Sequence, residues 1–142
     1  MSLTSANSVL MLGVTGLYTV PQQLQGFSEG DAYSVDSVDV AETVMGVDGK
    51  LSGGYVPQIK TMSVVLQGDS PSNTFFEAWY AAQEAAKEAY TAFGLINQSS
   101  VSRTYALTKG FLVGYTPLAD GKKILQPRKF SIRFESIVGA PL

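Results

Sequence analysis

The sequence predicts a mainly β fold with one α-helix, in which two packed β-sheets, arranged as a β-sandwich or open barrel, are flanked by the single helix. Two observations support this fold class. Only residues 69–94 have a long helical pattern, rich in alanine and with aromatic residues at helical spacing. The remaining chain divides into short segments of alternating apolar and polar residues, separated by glycine- or proline-bearing turns, as strands are. We therefore expect residues 1–142 to form one domain.

The predicted helix has sequence features at both ends. Ser70 or Ser72 can cap its start, and Pro71 suits a first helical turn. Gly94 can adopt the left-handed conformation that ends a helix. The predicted core face of the helix is formed by Phe75, Phe76, Trp79, Tyr90 and Phe93. Since only β-structure is available to cover this aromatic face, we expect the helix to pack on a sheet.

The strand-like segments follow one another along the rest of the chain. They are residues 17–20, 33–40, 43–47, 51–56, 59–67, 101–108, 111–115 and 129–137. The alternation changes parity within 33–40, which predicts a β-bulge near Ser37. Residues 1–13 are expected to form an N-terminal arm or edge strand, residues 26–30 a turn, and the stretch after Gly94 a connector.

A hairpin is predicted over residues 43–56. Asp48-Gly49 suits a type I′ turn between two short strands. The glycines leave the hairpin few side chains with which to anchor itself to a core, so it is either a mobile loop or an arm that reaches another chain. The residues assigned to this inter-subunit hairpin are Gly46, Asp48, Gly49, Lys50, Gly53 and Gly54.

Charge is scarce and unevenly distributed. Charged residues make up 15% of the chain, whereas about 25% is usual for soluble domains, so part of the surface is expected to be covered by another chain. Residues 1–49 carry six acids and no base, whereas residues 50–142 carry ten bases and six acids. This split is typical of complementary faces on a self-associating subunit, of nucleic-acid binding, or of two halves that neighbour each other in one fold.

The composition argues against an enzyme. The chain has no cysteine and no histidine, which excludes thiol chemistry, histidine-based triads and the usual zinc sites. The pair Glu84/Glu88 is interpreted as a solvated helix face, and Asp36 and Asp39 are expected to point to opposite sides of their strand unless the bulge brings them together. Residues 120–123 lack the spacing of a phosphate-binding loop. We expect no catalytic residue, cofactor or metal. No base precedes Lys50 and the apolar run at 9–14 is short, so neither a secretory signal nor a membrane span is expected.

Three stretches resemble bacteriophage tail tube proteins of long-tailed phages. They are VDGKLSGGY at 47–55, VVLQGDSPSNTFFEAWYAAQEAA at 64–86, and the block 107–135 with LQPRKF at 125–130. The resemblance covers roughly residues 45–138. Such proteins are similar in fold to the tube protein of type VI secretion systems, with two packed sheets and a flanking helix.

The resemblance implies a structural virion protein that assembles in the host cytoplasm into the phage tail. Its subunits would form hexameric rings that stack into a hollow tube, with strands of six subunits closing a barrel around the passing DNA. The hairpin at 43–56 and the N-terminal segment would reach neighbouring subunits. The implied partners are further copies of the chain, the baseplate, tape measure and terminator proteins, and possibly a sheath, with no membrane.

Within this interpretation, polar strand faces line the lumen. The candidates are Ser102, Thr104, Thr108, Ser131 and Glu135. DNA would pass without specific binding, since several phosphate contacts would retain it. The candidates for charge pairing between subunits are Asp36, Asp39, Lys129 and Arg133.

Two alternatives remain open at this point. A tail terminator or cap protein would form one ring and stop. A nucleic-acid-binding module would use the five bases between residues 122 and 133, and its binding would weaken steeply with salt.

Overall fold

A computed structural model of the chain describes residues 8–25 and 33–141. In these residues, nine strands and one α-helix follow the order β-β-β-β-β-β-α-β-β-β. Their bounds are β1 Ser8–Val14, β2 Tyr18–Gln23, β3 Tyr33–Val35, β4 Ala41–Met45, β5 Leu51–Tyr55, β6 Lys60–Leu66, α1 Asn73–Ala86, β7 Ala92–Gln98, β8 Arg103–Tyr115 and β9 Arg128–Pro141. A 3₁₀ turn, Ser99–Val101, precedes β8.

The strands form two sheets. Seven of them make one antiparallel sheet in the order β2-β1-β7-β8-β9-β6-β3, and β4 pairs with β5 and with no other strand of the described ranges. The large sheet ends in two edge strands, β2 and β3, so it does not close into a barrel. The predicted class, mainly β with one helix and two sheets, is confirmed. Pro21 lies within β2, where a missing backbone N–H is tolerated because β2 is an edge strand.

The large sheet bends around a single core because its two longest strands turn together. Leu107 pairs with Ile137, and Gly110 pairs with Phe134. The side chains of Leu107, Ile137 and Phe134 pack into the core. Residues 107 and 110 of β8, and residues 134 and 137 of β9, are three positions apart and still face the core. Regular alternation would put residues three apart on opposite faces, so both strands change face at the same level of the sheet. At this level Lys109 has a positive φ of 50°. The two halves of the sheet meet again at Tyr33, whose hydroxyl accepts a 2.8 Å hydrogen bond from Gln98 Nε2.

The core lies between the curved sheet and α1. Alternate residues of three strands are buried in it, as period-2 alternation requires: Leu10, Leu12 and Val14 in β1, Met62, Val64 and Leu66 in β6, and Phe130, Ile132 and Phe134 in β9. From α1, Phe76 and Trp79 are fully buried and Phe75 nearly so. The ring of Phe76 stacks on that of Phe130 with centroids 4.1 Å apart, which joins the helix to the sheet.

The helix is shorter than predicted. It ends at Ala86, and Lys87 takes the left-handed conformation that the sequence analysis assigned to Gly94. Tyr90 and Phe93 therefore lie beyond the helix, so their assignment to its core face was wrong. Tyr90 still closes over the helix end, because its carbonyl accepts a 3.1 Å hydrogen bond from Trp79 Nε1 and its amide donates to Gln83 Oε1 at 3.0 Å.

The predicted cap at the helix start also differs. Ser72 is the N-cap residue but makes no side-chain cap, because its Oγ accepts a 2.7 Å hydrogen bond from the Gln25 amide. The Ser70 hydroxyl donates to the Gln25 carbonyl. Both serines thus join the helix start to the chain that leaves β2, a tertiary contact that replaces the local one.

Gly94 belongs to β7, an interior strand that the sequence analysis took for the helix end and a connector. A side chain at Gly94 would place its Cβ 2.1 Å from the Met11 carbonyl oxygen of β1. Glycine is therefore required at position 94 for the close approach of β1 and β7, and its interpretation as the residue that ends the helix was wrong.

The N-terminal segment and the chain after β3 also differ from the prediction. Residues 8–13 lie in β1, between β2 and β7, which corrects their interpretation as an arm or edge strand. Residues 1–7 and the predicted turn at 26–30 lie outside the described residues. After β3, residues 36–40 have no regular structure, so the predicted bulge near Ser37 is wrong. The Asp36 amide continues the pairing with β6 for one residue, through the Thr61 carbonyl at 3.1 Å.

Candidate assembly surfaces

The β4–β5 hairpin stands apart from the large sheet. All ten residues of its two strands are exposed. With about 3.4 Å per residue, five-residue strands carry the tip about 17 Å beyond the hairpin base. Such an element gains no stability from the core, so its strand structure rests on its own ladder from Ala41↔Tyr55 to Met45↔Leu51.

The hairpin turn is a three-residue loop instead of the predicted two-residue type I′ turn. The Gly46 amide donates to the Lys50 carbonyl at 2.8 Å, and the Gly49 amide donates to the Gly46 carbonyl at 3.0 Å. Gly49 has φ +84°, while Asp48 does not have the positive φ that type I′ also requires there. Asp48 Oδ1 instead accepts a 3.1 Å hydrogen bond from the Lys50 amide.

The hairpin has one apolar face and one mixed face. Residues paired across the ladder share a face, so Met45 and Leu51 lie on the same side. We call the side that carries Ala41, Met45, Leu51 and Tyr55, with the pair Thr43 and Gly53 between them, the hairpin apolar face. Its three larger side chains are 63%, 63% and 77% exposed. The opposite side carries Glu42 and Val44.

Four of the five candidate lumen residues lie on the sheet face turned away from the core: Thr104, Thr108, Ser131 and Glu135. Ser102 does not join them, since it precedes β8 in a left-handed conformation after the 3₁₀ turn. Thr104 is half-buried, and its hydroxyl donates to Asn97 Oδ1 at 2.6 Å. Glu135 has basic neighbours, with Lys109 Nζ 3.9 Å from its carboxylate and Lys60 Nζ donating to its carbonyl at 3.1 Å.

The four candidate inter-subunit charges are all exposed: Asp36, Asp39, Lys129 and Arg133. The structure does not bring them together. Among residues 8–25 and 33–141, the ion pairs are Lys109–Glu135 and Arg128–Glu77, and none involves these four. Within the described residues, these four side chains are therefore free to pair with charges of a neighbouring molecule.

Arg128 has a different role from the rest of the basic run. It is only 4% exposed and donates to Glu77 of α1 at 2.7 Å and to the Thr116 and Pro117 carbonyls at 2.9 and 3.0 Å. Its guanidinium also lies 5.3 Å from the Phe130 ring centroid. Arg128 thus fastens the helix to the β8–β9 loop, which sequence reasoning missed because a buried arginine looks like any other base in a run.

A groove of about 800 Å³ lies between the hairpin base and the large sheet. One side is formed by Tyr55 and residues 57–59, and the other by β8 and β9 residues that include Phe111 and Val113. The sequence analysis did not identify this groove. The alternation of Phe111 and Val113 in β8 could have indicated an apolar outward face.

A second exposed apolar region was also missed. Leu118, Ile124 and Leu125, in the loop between β8 and β9, are 69%, 78% and 57% exposed. They flank the exposed pair Lys122 and Lys123. The loop has no periodic pattern, so nothing in the sequence indicated whether these side chains would be covered.

Neither a metal site nor a membrane-spanning helix occurs in the part of the chain that the structure describes. In residues 8–25 and 33–141, no cluster of acidic side chains could hold a metal ion. No helix in these ranges is long and apolar enough to cross a membrane.

On α1, the nearby Glu84 carboxylate raises the pKa of the Tyr80 hydroxyl, and the Tyr80 ring stacks on that of Tyr115 with centroids 4.4 Å apart. This contact is part of the helix packing.

Similar solved structures share the fold. A chain of the anti-feeding prophage cap (AFP tube terminating cap) is 10% identical with a TM-score of 0.64, covering 100% of this chain and 93% of that one. A chain of the 6-fold symmetrised AFP baseplate is 11% identical with a TM-score of 0.57, covering 99% and 98%. A chain of the extended PVC sheath–tube complex, an extracellular contractile injection system, is 10% identical with a TM-score of 0.56, covering 94% and 88%.

The family assignment rests on the sequence. No curated protein sequence matches the chain. The model of a family described as tail fiber protein gp32 matches residues 1–138, nearly the whole length. The fold, the exposed hairpin and this match agree with the predicted resemblance to a phage tail protein. The chain belongs to the tail fiber protein gp32 family and is a phage tail-type structural protein.

Proposed function

We propose that the chain is a subunit of the phage tail tube, forming hexameric rings that stack into a hollow tube through which DNA passes. The observation that carries this proposal is the β4–β5 hairpin: its apolar face is exposed, and within the described part of the chain its two strands pair only with each other. An apolar surface on a protruding element is stabilised when a neighbouring subunit covers it.

The open sheet also supports assembly. A sheet that ends in two edge strands can be continued by strands of a neighbour, and a repeated head-to-tail contact closes a ring or extends a filament. The face with Thr104, Thr108 and Ser131 would then line the lumen. Hydroxyl-bearing residues suit a channel for DNA because they do not hold phosphates by charge.

A cap or terminator ring is the second candidate. It is favoured by the likeness to a chain of the AFP tube terminating cap, which has the higher TM-score of the structures described above. Both candidates share the ring and the hairpin contact. They differ in whether the second face of the ring accepts another ring.

Electron microscopy of the purified, concentrated protein distinguishes the candidates. Long hollow filaments of even diameter are expected for a tube subunit, whereas a cap or terminator gives single rings. Deletion of residues 46–54 should abolish both filaments and rings, because it removes the hairpin tip and most of β5. A matched control, Lys122→Ala with Lys123→Ala, changes only exposed loop charges and should assemble normally.

The same preparation tests the nucleic-acid alternative. If the protein stays a small particle and retains DNA in a manner that weakens steeply with salt, the tube and cap proposals are both wrong. In that case the Lys122→Ala, Lys123→Ala control should lose DNA binding.

A further inference from the structure

We propose that the groove between the hairpin base and the large sheet receives the hairpin apolar face of a second copy of this chain. This inference deepens the proposed function and rests on it, because it names the surface that covers the hairpin. The groove is formed by Tyr55 and residues 57–59 on one side and by Phe111 and Val113 on the other.

The chemistry of the groove matches that of the hairpin. Ile59 and Val113 in the groove are 60% and 51% exposed, so apolar surface there is uncovered within the chain. Met45 and Leu51 on the hairpin are equally uncovered. Contact between the two regions would remove both sets of apolar side chains from water, which is the main driving force of association.

Charges around the two regions are complementary. Residues 36–56 contain four acids and one base. The groove is lined by Lys60, Lys109 and Arg133 with Glu135 as its one acid. Arg133 has no ion-pair partner in residues 8–25 and 33–141. Opposite charges on the two surfaces favour their encounter and oppose the pairing of groove with groove.

The occupant must be another molecule. Tyr55 is both the base of the hairpin and part of the groove wall. The tip of the same hairpin lies about 17 Å away along the ladder, so it cannot enter the groove without unpairing β4 from β5. Met45 and Leu51 of the arm lie on a different surface from Phe111 and Val113 of the groove, so an arm that enters the groove of the next copy makes a head-to-tail contact that can repeat from copy to copy. The proposal places Glu135 at this interface instead of in the lumen.

Disulfide trapping tests the contact directly, since the chain has no cysteine of its own. Chains with Met45→Cys and chains with Val113→Cys are mixed, allowed to assemble and mildly oxidised. A band at twice the 15.1 kDa chain mass is expected on a non-reducing gel of the mixture, and not of either variant oxidised alone. The matched control is Val44→Cys, which is 69% exposed on the opposite side of the hairpin. It should cross-link roughly tenfold less, because a disulfide requires Cα atoms within about 7 Å.

A complementation experiment tests whether the arm of one copy binds the groove of another. Met45→Asp disables the arm and leaves the groove, whereas Val113→Asp disables the groove and leaves the arm. Both positions are exposed, so both variants should fold. Each variant alone is expected to remain monomeric in sedimentation velocity. An equimolar mixture should form dimers and nothing larger, because one intact arm meets one intact groove.

The possible failures are distinguishable. Rings or tubes that form without the Met45–Val113 cross-link, or with equal cross-linking from Val44→Cys, would overturn the groove assignment while leaving the proposed function intact. Normal assembly of Val113→Asp beside failed assembly of Met45→Asp would do the same. If the unmodified protein formed neither rings nor tubes, the proposed function would be wrong and the groove proposal with it.

Discussion

The helix α1 and the β4–β5 hairpin each have an apolar face, but the two faces differ in what covers them. Phe76 and Trp79 of α1 have no exposed surface, since the curved sheet encloses them. Leu51 and Tyr55 of the hairpin are 63% and 77% exposed, and among residues 8–25 and 33–141 their strand pairs only with β4. The first element therefore stabilises the subunit, whereas the second is available to stabilise an assembly.

Because of this difference, the stability of the subunit and its assembly should respond to different substitutions. Changes in α1 and the strands beneath it should lower the free energy of unfolding of the subunit. Changes in the hairpin should leave that free energy nearly unaltered and reduce assembly. Four substitutions test this separation, ordered from the largest expected change in the free energy of unfolding to the smallest.

The largest loss is expected for Trp79→Ala. Truncation removes a fully buried ring and its hydrogen bond to the Tyr90 carbonyl, and such substitutions cost about 3–5 kcal/mol. Urea unfolding followed by circular dichroism measures it, since the substitution removes the one tryptophan of the chain. Val44→Ala in the exposed hairpin is the control and should change stability by less than about 0.5 kcal/mol. Equal stability of the two variants would refute the comparison.

Gly94→Ala is expected to follow. The new Cβ would lie 2.1 Å from the Met11 carbonyl oxygen, and such overpacking costs about 1–3 kcal/mol as β1 and β7 separate. Gly54→Ala in the hairpin is the matched control, because nothing lies within 4 Å of its added Cβ. Thermal unfolding of both variants provides the measurement. A lower melting temperature for Gly54→Ala than for Gly94→Ala would contradict the close approach of β1 and β7.

Arg128→Ala should destabilise the subunit by about 2 kcal/mol, because the Thr116 and Pro117 carbonyls lose a donor and α1 loses its partner for Glu77. Arg133→Ala, in the same strand but exposed, should cost less than about 0.5 kcal/mol. Urea unfolding at low and high NaCl concentration compares them. A strong salt dependence of the Arg128 effect would indicate a solvent-screened pair and contradict the buried geometry.

Leu51→Asp should have the smallest effect on the subunit and a large one on assembly. Its side chain is exposed, so the free energy of unfolding should change by less than about 0.5 kcal/mol. Light scattering should nevertheless detect no particles larger than the subunit. Ser52→Asp, on the opposite hairpin face, is the control that introduces the same charge. Equal loss of assembly in both variants would show that charge, and not the apolar face, is responsible.

The strands with clear alternation were predicted well. The predicted strands at 59–67 and 129–137 correspond to β6 and β9, and their regularly alternating apolar residues are buried: Met62, Val64, Leu66, Phe130, Ile132 and Phe134. In β8 the prediction gave two segments, whereas the structure has one strand, Arg103–Tyr115. The positive φ of Lys109 and a register irregularity between Leu112 and Gly114 interrupt its alternation, which therefore looked like a break.

The candidate assembly surfaces were predicted only in part. The glycine content and the Asp48-Gly49 dipeptide correctly indicated an exposed hairpin, although Gly49 alone takes the positive φ. The groove could not be predicted, because Tyr55, Val113 and Arg133 come from three separate segments that only the folded sheet brings together. Arg128 was missed for a related reason, since its burial depends on Glu77 in a distant helix.

Local sequence was enough to set the class of secondary structure, the hairpin, and the core residues of strands with regular alternation, since these depend on interactions between residues close in the chain. Tertiary contacts determine that the helix ends at Ala86 and that Gly94 lies in a strand, β7. Helical propensity favours continuing past Ala86, but β1 and β8 gain a partner strand when residues 92–98 become β7. Ladder hydrogen bonds and burial outweigh the small per-residue propensity, and they depend on segments that a local pattern does not contain.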